Sequence, residues 1–259
     1  MNCLLLPKNW QDNVSGQLIN RTDARLQAVL TDDKQVAHIR QVLKSQVGDT
    51  LQIGALGGML GTGTICTLTE TMVGLSNVQL TQNPPDKLDL TVILALPRPK
   101  VLRRLIMDMT AIGVQRIVLV NSVRTQKSYW QSPLLSRIDE FVLEGLQQGV
   151  DTIAPEILYR QRFKPFVEDE LSEWLNNKSQ IAIVAHPYTK MSFFECTIQQ
   201  GIPQILCIGA EGGWVDYEVA LMQAQGCYIA SLGQRILRTE AVVNVLCGQV
   251  LANAKDSYS

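Results

Sequence analysis

The residues best suited to chemistry lie in two glycine-rich segments close together in the chain. Residues 209–213 (GAEGG) follow the apolar run 205–208, and residues 231–240 (SLGQRILRTE) follow the short run 227–230. Glycine lacks a side chain and tolerates positive φ, so the backbone can turn sharply there and approach a ligand. Open α/β sheets bind ligands at the carboxyl ends of their strands, so two such turns after adjacent strands predict one shared pocket.

The elements that must position these segments form an alternating pattern over residues 90–259. Near-continuous apolar strands alternating with helices are typical of a mostly parallel sheet covered on both faces, so the predicted fold class is α/β. A linker is predicted at residues 76–89, because it contains the double proline Pro84-Pro85. The pattern predicts helices at 101–112 and 134–148, and strands at 90–96, 116–121, 155–158, 180–185, 204–208 and 227–230.

Residues 1–75 predict a separate, small β-rich domain of short strands and turns. A glycine-rich run at 54–63 (GALGGMLGTG) lies between two of these strands. No lysine follows it at the spacing of a phosphate-binding loop, and a strand rather than a helix comes next, so we interpret it as a hairpin turn. Residues 38–44 (HIRQVLK) predict a short helix beside this domain.

Composition places the chain among globular proteins. With 46% hydrophobic and 18% charged residues among 259, it can bury a sizeable core, and its net charge of −1 requires any nucleic-acid surface to be local. The six cysteines lack CxxC spacing, which favours free thiols in a reducing cytoplasm over a metal site or disulfides. We see neither a signal-peptide pattern nor an apolar run near the roughly 20 residues of a membrane span, so no membrane partner is expected.

A basic cluster begins the helix that is predicted after Pro97. Cations in the first turns of a helix oppose its dipole, so their presence there calls for a reason outside helix stability. Binding to RNA phosphates is one such reason, and a solvated charged face is the alternative. The predicted RNA-binding residues are Arg98, Lys100, Arg103, Arg104, Arg124 and Lys127.

The two glycine-rich segments together resemble the signature of the RsmE-type enzymes, which are SPOUT-class methyltransferases. Weaker likenesses follow in order along the chain, at residues 38–44 (HIRQVLK), 112–114 (IGV), 155–157 (PEI) and 185–187 (AHP). Members of that family use S-adenosylmethionine to methylate N3 of a uridine in 16S ribosomal RNA of the small subunit. The resemblance implies the same activity here, carried out by a homodimer.

The resemblance also implies an architecture and a set of cofactor contacts. It implies a PUA-like RNA-binding β-barrel in residues 1–75 and a SPOUT domain with a trefoil knot in residues 90–259, the knot being a rare exception to unthreaded connections. Backbone groups of the glycine turns would hold S-adenosylmethionine. The expected cofactor-binding residues are Ala185, His186, Ile208, Gly209, Glu211, Gly212, Gly213, Leu232, Gly233, Ile236, Leu237 and Thr239.

Arg238 is the predicted catalytic residue, because it lies between the second glycine segment and the last helix. Negative charge spreads over a uracil ring as N3 loses its proton, and a guanidinium with several donors can stabilise that charge. An ion pair with Glu240 or Glu211 that only braces the loop is the alternative.

The chain departs from the family pattern at Gln41, Lys44, Asp108 and Val150-Asp151. These positions lie in segments that are candidates for RNA contact, whereas the cofactor segments are retained. Two alternatives therefore stay open. One is a SPOUT-class methyltransferase with another target base or a ribose oxygen, and the other is a non-catalytic RNA-binding or ribosome-assembly protein that keeps the fold.

Overall fold

The computed structural model describes residues 1–11, 27–178 and 180–253. The chain divides into two compact units, each with its own sheet and its own buried core. The first unit contains Met1–Asp86 together with Leu143–Ala154. The second unit contains Lys87–Val142 and Pro155–Ser259.

The first unit is built on a five-stranded sheet in the order β1-β3-β4-β5-β2. β1 runs parallel to β3, and the other pairs are antiparallel. The two edge strands, β1 and β2, contact each other, so the sheet curls in the way that the predicted barrel-like domain requires. The strands are β1 (Leu4–Leu6), β2 (Ala28–Leu30), β3 (Thr50–Ala55), β4 (Leu60–Leu68) and β5 (Val73–Gln82).

Residues 38–44, which were predicted to form a short helix, follow directly on a regular α-helix. Helix α1 (Asp33–Ala37) begins at Asp32, whose carboxylate accepts a hydrogen bond from the amide of Gln35 at 2.9 Å. It passes directly into a π-helical turn, His38–Leu43, which ends at Lys44 in the left-handed region with φ 54°. The glycine-rich run joins β3 to β4 as an antiparallel hairpin, which confirms its interpretation as a turn.

The second unit is a six-stranded parallel sheet in the order β11-β9-β10-β6-β7-β8. Strand β10 is buried along its whole length and β6 at every residue except Asp89, because both faces of the sheet are covered. This confirms the predicted α/β fold class. The strands are β6 (Leu88–Ala95), β7 (Val114–Val120), β8 (Glu156–Arg160), β9 (Ala182–Ala185), β10 (Ile205–Ile208) and β11 (Tyr228–Ala230).

Helices connect these strands, and α2 shows how the sequence sets their bounds. Pro99 occupies its first turn, its apolar residues Leu102, Leu105, Ile106 and Met109 are buried, and Gly113 ends it with φ 94°. Turns of π-helix (Phe166–Leu171) and 3₁₀-helix (Lys127–Gln131 and Leu135–Arg137) complete the unit. The helices are α2 (Pro99–Ile112), α3 (Ile138–Gly149), α4 (Phe163–Pro165), α5 (Ser172–Lys178), α6 (Phe193–Gln200), α7 (Asp216–Ala224) and α8 (Thr239–Asn253).

The domain boundaries differ from those expected at 1–75, 76–89 and 90–259. Strand β5 pairs with β4 as far as Gln82 and β6 begins at Leu88, so only residues 83–87 separate the strands. Leu143–Ala154 also joins the first unit, because the carbonyl of Gln147 accepts from the amides of residues 2 and 3 at 2.9 and 3.0 Å. Both corrections come from backbone pairing, which leaves little trace in side-chain pattern.

All six cysteines are free thiols, and every one except Cys66 is buried. Burial raises the pKa of the Cys3 thiol to about 11 and that of Cys247 to about 12. Across the described residues, no cluster of histidine, cysteine and acidic side chains is suited to hold a metal ion. None of the described helices combines the length and the apolarity needed to span a membrane.

Candidate active site

The carboxyl ends of β9, β10 and β11 open onto one cavity of about 160 Å³. β9 pairs with β10 on one side and β11 on the other, so the loops that follow these three strands are neighbours. Every residue named above for cofactor binding lines this cavity.

The first glycine segment folds into a tight loop after β10. A Cβ atom placed on Gly209 would lie 2.8 Å from the Cα atom of Gly213 and 3.0 Å from the amide nitrogen of Trp214, so this position must remain glycine. Gly213 has φ 70°, and its amide donates to the carbonyl of Ala210 at 2.8 Å. Trp214 is buried beneath the loop, with its ring 5.5 Å from that of Phe163.

Glu211 ties this loop to the start of α2. One carboxylate oxygen accepts the amide of Arg98 at 3.0 Å and lies 3.7 Å from Nε of the same residue. A carboxylate at a helix N-terminus is favoured by the unpaired amides there and by the helix dipole. Glu211 therefore satisfies the amide of Arg98 at a helix start while it lines the cavity.

The second glycine segment is fastened at both of its ends. The amide of Ser231 donates to the carbonyl of Met191 at 2.9 Å. Gly233 follows with φ 102°, in open space. Thr239, at the start of α8, is buried, and its hydroxyl donates to the carbonyl of Gly209 at 3.4 Å. This last bond joins the second segment directly to the first.

The third wall of the cavity begins where β9 ends. The amide of His186 donates to the carbonyl of Ala230 at 3.0 Å, and its ring meets that of Tyr188 edge-on at 5.5 Å. Burial lowers the pKa of His186; the nearby Asp216 opposes this shift, and Arg124 adds to it. The imidazole is therefore neutral at physiological pH.

Sequence reasoning missed several residues that line the cavity. Most of them directly adjoin residues that it found, so widening each predicted segment by one or two positions would have included them. Arg124, which was assigned to RNA, is the exception, because it comes from the loop after β7. The other additional residues are Pro187, Tyr188, Ala210, Trp214, Arg235 and Val242.

The predicted RNA-binding residues are divided between different environments. Arg98 is paired with Glu211, and the guanidinium of Arg103 lies 5.5 Å from the ring centre of Phe141. Lys100 and Arg104 are exposed on α2, and Lys127 is exposed after β7. Because α2 begins where β6 ends, its basic first turns lie at the same edge of the sheet as the cavity.

Arg238 is exposed at the start of α8, and its carbonyl accepts the amide of Val242 at 3.0 Å. Within the described parts of the chain, no carboxylate forms an ion pair with its guanidinium. Glu211, one of the two partners considered for a bracing ion pair, is instead engaged by Arg98. Arg238 is not part of the cavity wall, although Leu237 and Thr239 on either side of it are.

The departures from the family pattern have structural contacts at two of the positions. Asp108 accepts a hydrogen bond from the side-chain amide of Asn244 at 3.1 Å. The buried carboxylate of Asp151 accepts the amides of Thr152 and Ile153 at 2.6 and 2.9 Å. Gln41 and Lys44 are both exposed.

A family model for the RNA methyltransferase domain matches residues 84–250, which include every wall of the cavity. The chain belongs to this family. The chain is also similar in sequence to proteins named ribosomal RNA small subunit methyltransferase E. The Treponema pallidum protein is 27% identical over 224 residues, covering 86% of this chain and 84% of its own length. The Synechocystis protein is 26% identical over 221 residues, covering 84% and 71%.

Solved structures share the fold over almost the whole chain. A Legionella pneumophila protein, described as a methyltransferase with bound cofactor SAM, superposes with a TM-score of 0.72 at 18% identity. A Neisseria gonorrhoeae ribosomal RNA small subunit methyltransferase E, solved with S-adenosyl methionine, gives 0.69 at 18% identity. Each comparison covers 98% of both chains. The α/β fold predicted from the sequence is therefore shared with these structures.

Proposed function

We propose that this protein transfers the methyl group of S-adenosylmethionine to N3 of a uridine in 16S ribosomal RNA of the small subunit. The observation that carries the proposal is the single cavity formed by the two glycine-rich segments inside an RNA methyltransferase domain. The similarity to proteins named for small-subunit ribosomal RNA methylation supports this choice of substrate.

The cavity has the chemistry that S-adenosylmethionine needs. Its walls combine glycine backbone with apolar side chains such as Leu232 and Leu237, as the walls of small-molecule sites do. Backbone amides and carbonyls of the two loops would hold the adenine edge and the ribose hydroxyls. When bound, the cofactor supplies an electrophilic methyl group at its sulfonium. The loops' task is then to fix that group in line with the attacking nitrogen.

Arg238 is the residue to which we assign the stabilisation of the uracil. Its backbone stands between two cavity-lining residues, while its side chain is exposed and unpaired among the described residues. A guanidinium stays protonated throughout the reaction and offers several donors to O2 and O4 as negative charge develops there.

The RNA would lie along the basic start of α2. Lys100 and Arg104 present exposed cations beside the cavity, and Lys127 adds another after β7. The first unit, a barrel-like sheet, would supply further RNA contacts, as the PUA-like resemblance implies. Six free cysteines are consistent with a cytoplasmic location, which is where we place the reaction.

A homodimer completes the proposal, with α8 as part of its interface. One side of α8 is buried within the chain through Val243, Leu246 and Cys247. Val245 and Leu251, which lie outside that buried side, are 41% and 47% exposed. Such apolar breadth suits a helix that is covered on two sides. The trefoil knot implied by the resemblance stays a prediction.

A methyl-transfer assay tests the activity. Purified protein is incubated with tritiated S-adenosylmethionine and either assembled small subunits or free 16S ribosomal RNA, and the modified nucleotide is then mapped. We expect label on N3 of one uridine. Label on another base or on a ribose oxygen would support a different methyltransferase of the same class. RNA binding without any label would support a non-catalytic ribosome-assembly protein.

A further inference from the structure

Arg124 lies across the first glycine loop as a fixed part of the cavity wall. Its side chain donates a hydrogen bond from Nη1 to the carbonyl of Gly212. A Cβ atom on Gly212 would lie 2.8 Å from Cδ of Arg124 and 3.1 Å from its Cβ. Gly212 thus leaves room for the stem of this arginine, which holds the guanidinium at the cavity.

The backbone around Arg124 is clamped from two directions. The amide of Val123 donates to one oxygen of Glu218 at 2.8 Å, and the other oxygen accepts the amide of Val215 at 2.9 Å. Glu218 is only 1% exposed, so this carboxylate is a buried link between α7 and the loop after β7. On the other side, the hydroxyl of Thr125 donates to the carbonyl of Leu96 at 3.1 Å.

These contacts fix the position of the Arg124 guanidinium before any ligand binds, and a fixed cation suits an anionic ligand. A guanidinium has five N–H donors, and the bond to Gly212 leaves most of them available. His186 on the same cavity is neutral at physiological pH, and Glu211 is engaged by Arg98. Arg235 also lines the cavity, but its loop is exposed and no described side chain holds it. Arg124 is therefore the cation whose position the fold fixes.

We propose that Arg124 binds the α-carboxylate at the methionine end of S-adenosylmethionine. This inference rests on the proposed function, because it needs that cofactor in the cavity. The carboxylate is the only anionic group of the cofactor, and arginine pairs with carboxylates through two parallel hydrogen bonds. Glu218 is a positioning residue that acts through the backbone of Val123.

Two thioethers that differ in the amino-acid tail test the assignment by calorimetry. S-adenosylhomocysteine carries the carboxylate, and 5′-methylthioadenosine lacks the whole tail. Arg124→Gln should weaken S-adenosylhomocysteine binding by about 10- to 100-fold, as for a hydrogen bond to a charged group, and change 5′-methylthioadenosine binding less than about twofold. Arg124→Lys should restore part of the loss. The control, Lys164→Gln, removes an exposed cation that is not part of the cavity wall and should leave both affinities unchanged.

Glu218→Gln provides a second variant in which Arg124 itself is retained. It should produce a smaller loss in the same direction, again confined to the ligand with the carboxylate. Thermal unfolding of each variant checks that the domain is folded.

Other outcomes would overturn the inference. Equal losses for both thioethers would mean that Arg124 only braces the glycine loop. Unchanged thioether binding with weaker RNA binding and a flatter salt dependence would make the anion an RNA phosphate. Failure of the unaltered protein to bind S-adenosylhomocysteine would instead contradict the proposed function, so the two failures are distinguishable.

Discussion

Arg238 and Arg124 lie close to the same two glycine segments, but they differ in how their side chains are held. Both are exposed, but Arg124 is tied to Gly212 and held through its neighbours, whereas Arg238 makes no ion pair with any described carboxylate. A fixed cation suits a bound cofactor. An exposed cation outside the cavity wall, such as Arg238, suits an RNA substrate that binds from solvent.

Replacement of Arg238 by alanine should lower the single-turnover methylation rate by about 100-fold or more, because one aimed donor to the developing negative charge is lost. The affinity for S-adenosylmethionine should hardly change, since Arg238 is not part of the cavity wall. Rapid-quench measurement at saturating cofactor and RNA checks this. Gln234→Ala, in the same exposed loop, is the control and should keep the full rate. An undiminished rate in the arginine variant would remove it from the mechanism.

Gly209 permits a second prediction at this scale. In Gly209→Ala the new methyl group meets the backbone of Gly213 and Trp214, which cannot rotate out of the way as a side chain can. We expect the free energy of unfolding to fall by about 1–3 kcal/mol and cofactor affinity to weaken as the loop shifts. Urea unfolding and calorimetry measure the two effects. Gly248→Ala, where no atom lies within 4 Å of the new methyl group, is the control that should lose neither.

At the scale of elements, the start of α2 combines two functions in one turn. The amide of Arg98 is satisfied by Glu211 from the first glycine segment, while Lys100 and Arg104 are exposed. Arg103 is partly committed to packing against Phe141, so Lys100 and Arg104 are the better probes of RNA binding.

Neutralising both residues, as Lys100→Gln with Arg104→Gln, should weaken RNA binding and reduce the slope of log affinity against log salt by about 0.7–0.9 per lost phosphate contact. Filter binding from low to high salt measures the slope, and cofactor affinity should be unaffected. Lys164→Gln is the matched control, since that exposed lysine pairs with Glu168 on a different helical segment. A full slope in the double variant would leave the cluster as a solvated charged face.

At the scale of the whole molecule, the exposed apolar residues of α8 predict self-association. We expect light scattering at micromolar concentration to give twice the mass of the chain. Val245→Asp with Leu251→Asp should shift the mass to that of a monomer, because it places charge in an apolar interface. Val47→Asp, on a similarly exposed apolar residue of the first unit, should not. A monomeric unaltered protein would reject the proposed dimer.

The sequence allowed the sheet of the second unit to be predicted because buried parallel strands are mostly apolar runs that alternate with helical segments. Residues 205–208 and the loop after them are the clearest case. Strand order cannot be obtained in this way, and Arg124 reaches the cavity only because β7 pairs with β6 and β6 with β10. The end of β5 could not be predicted for a different reason. Its last residues are polar and partly exposed, so they have the composition of a linker.

The position of β11 at the edge of the sheet has a consequence for when the site comes into being. This three-residue strand pairs only with β9 among the described strands, yet the loop after it forms one wall of the cavity. Until β11 pairs with β9, a folding chain can have every other strand in place and still lack the cavity wall formed by residues 232–239. Docking of β11 and ligand binding are therefore linked equilibria, and each must favour the other by the same factor. S-adenosylmethionine would then bind the molecules in which β11 is paired and stabilise that pairing.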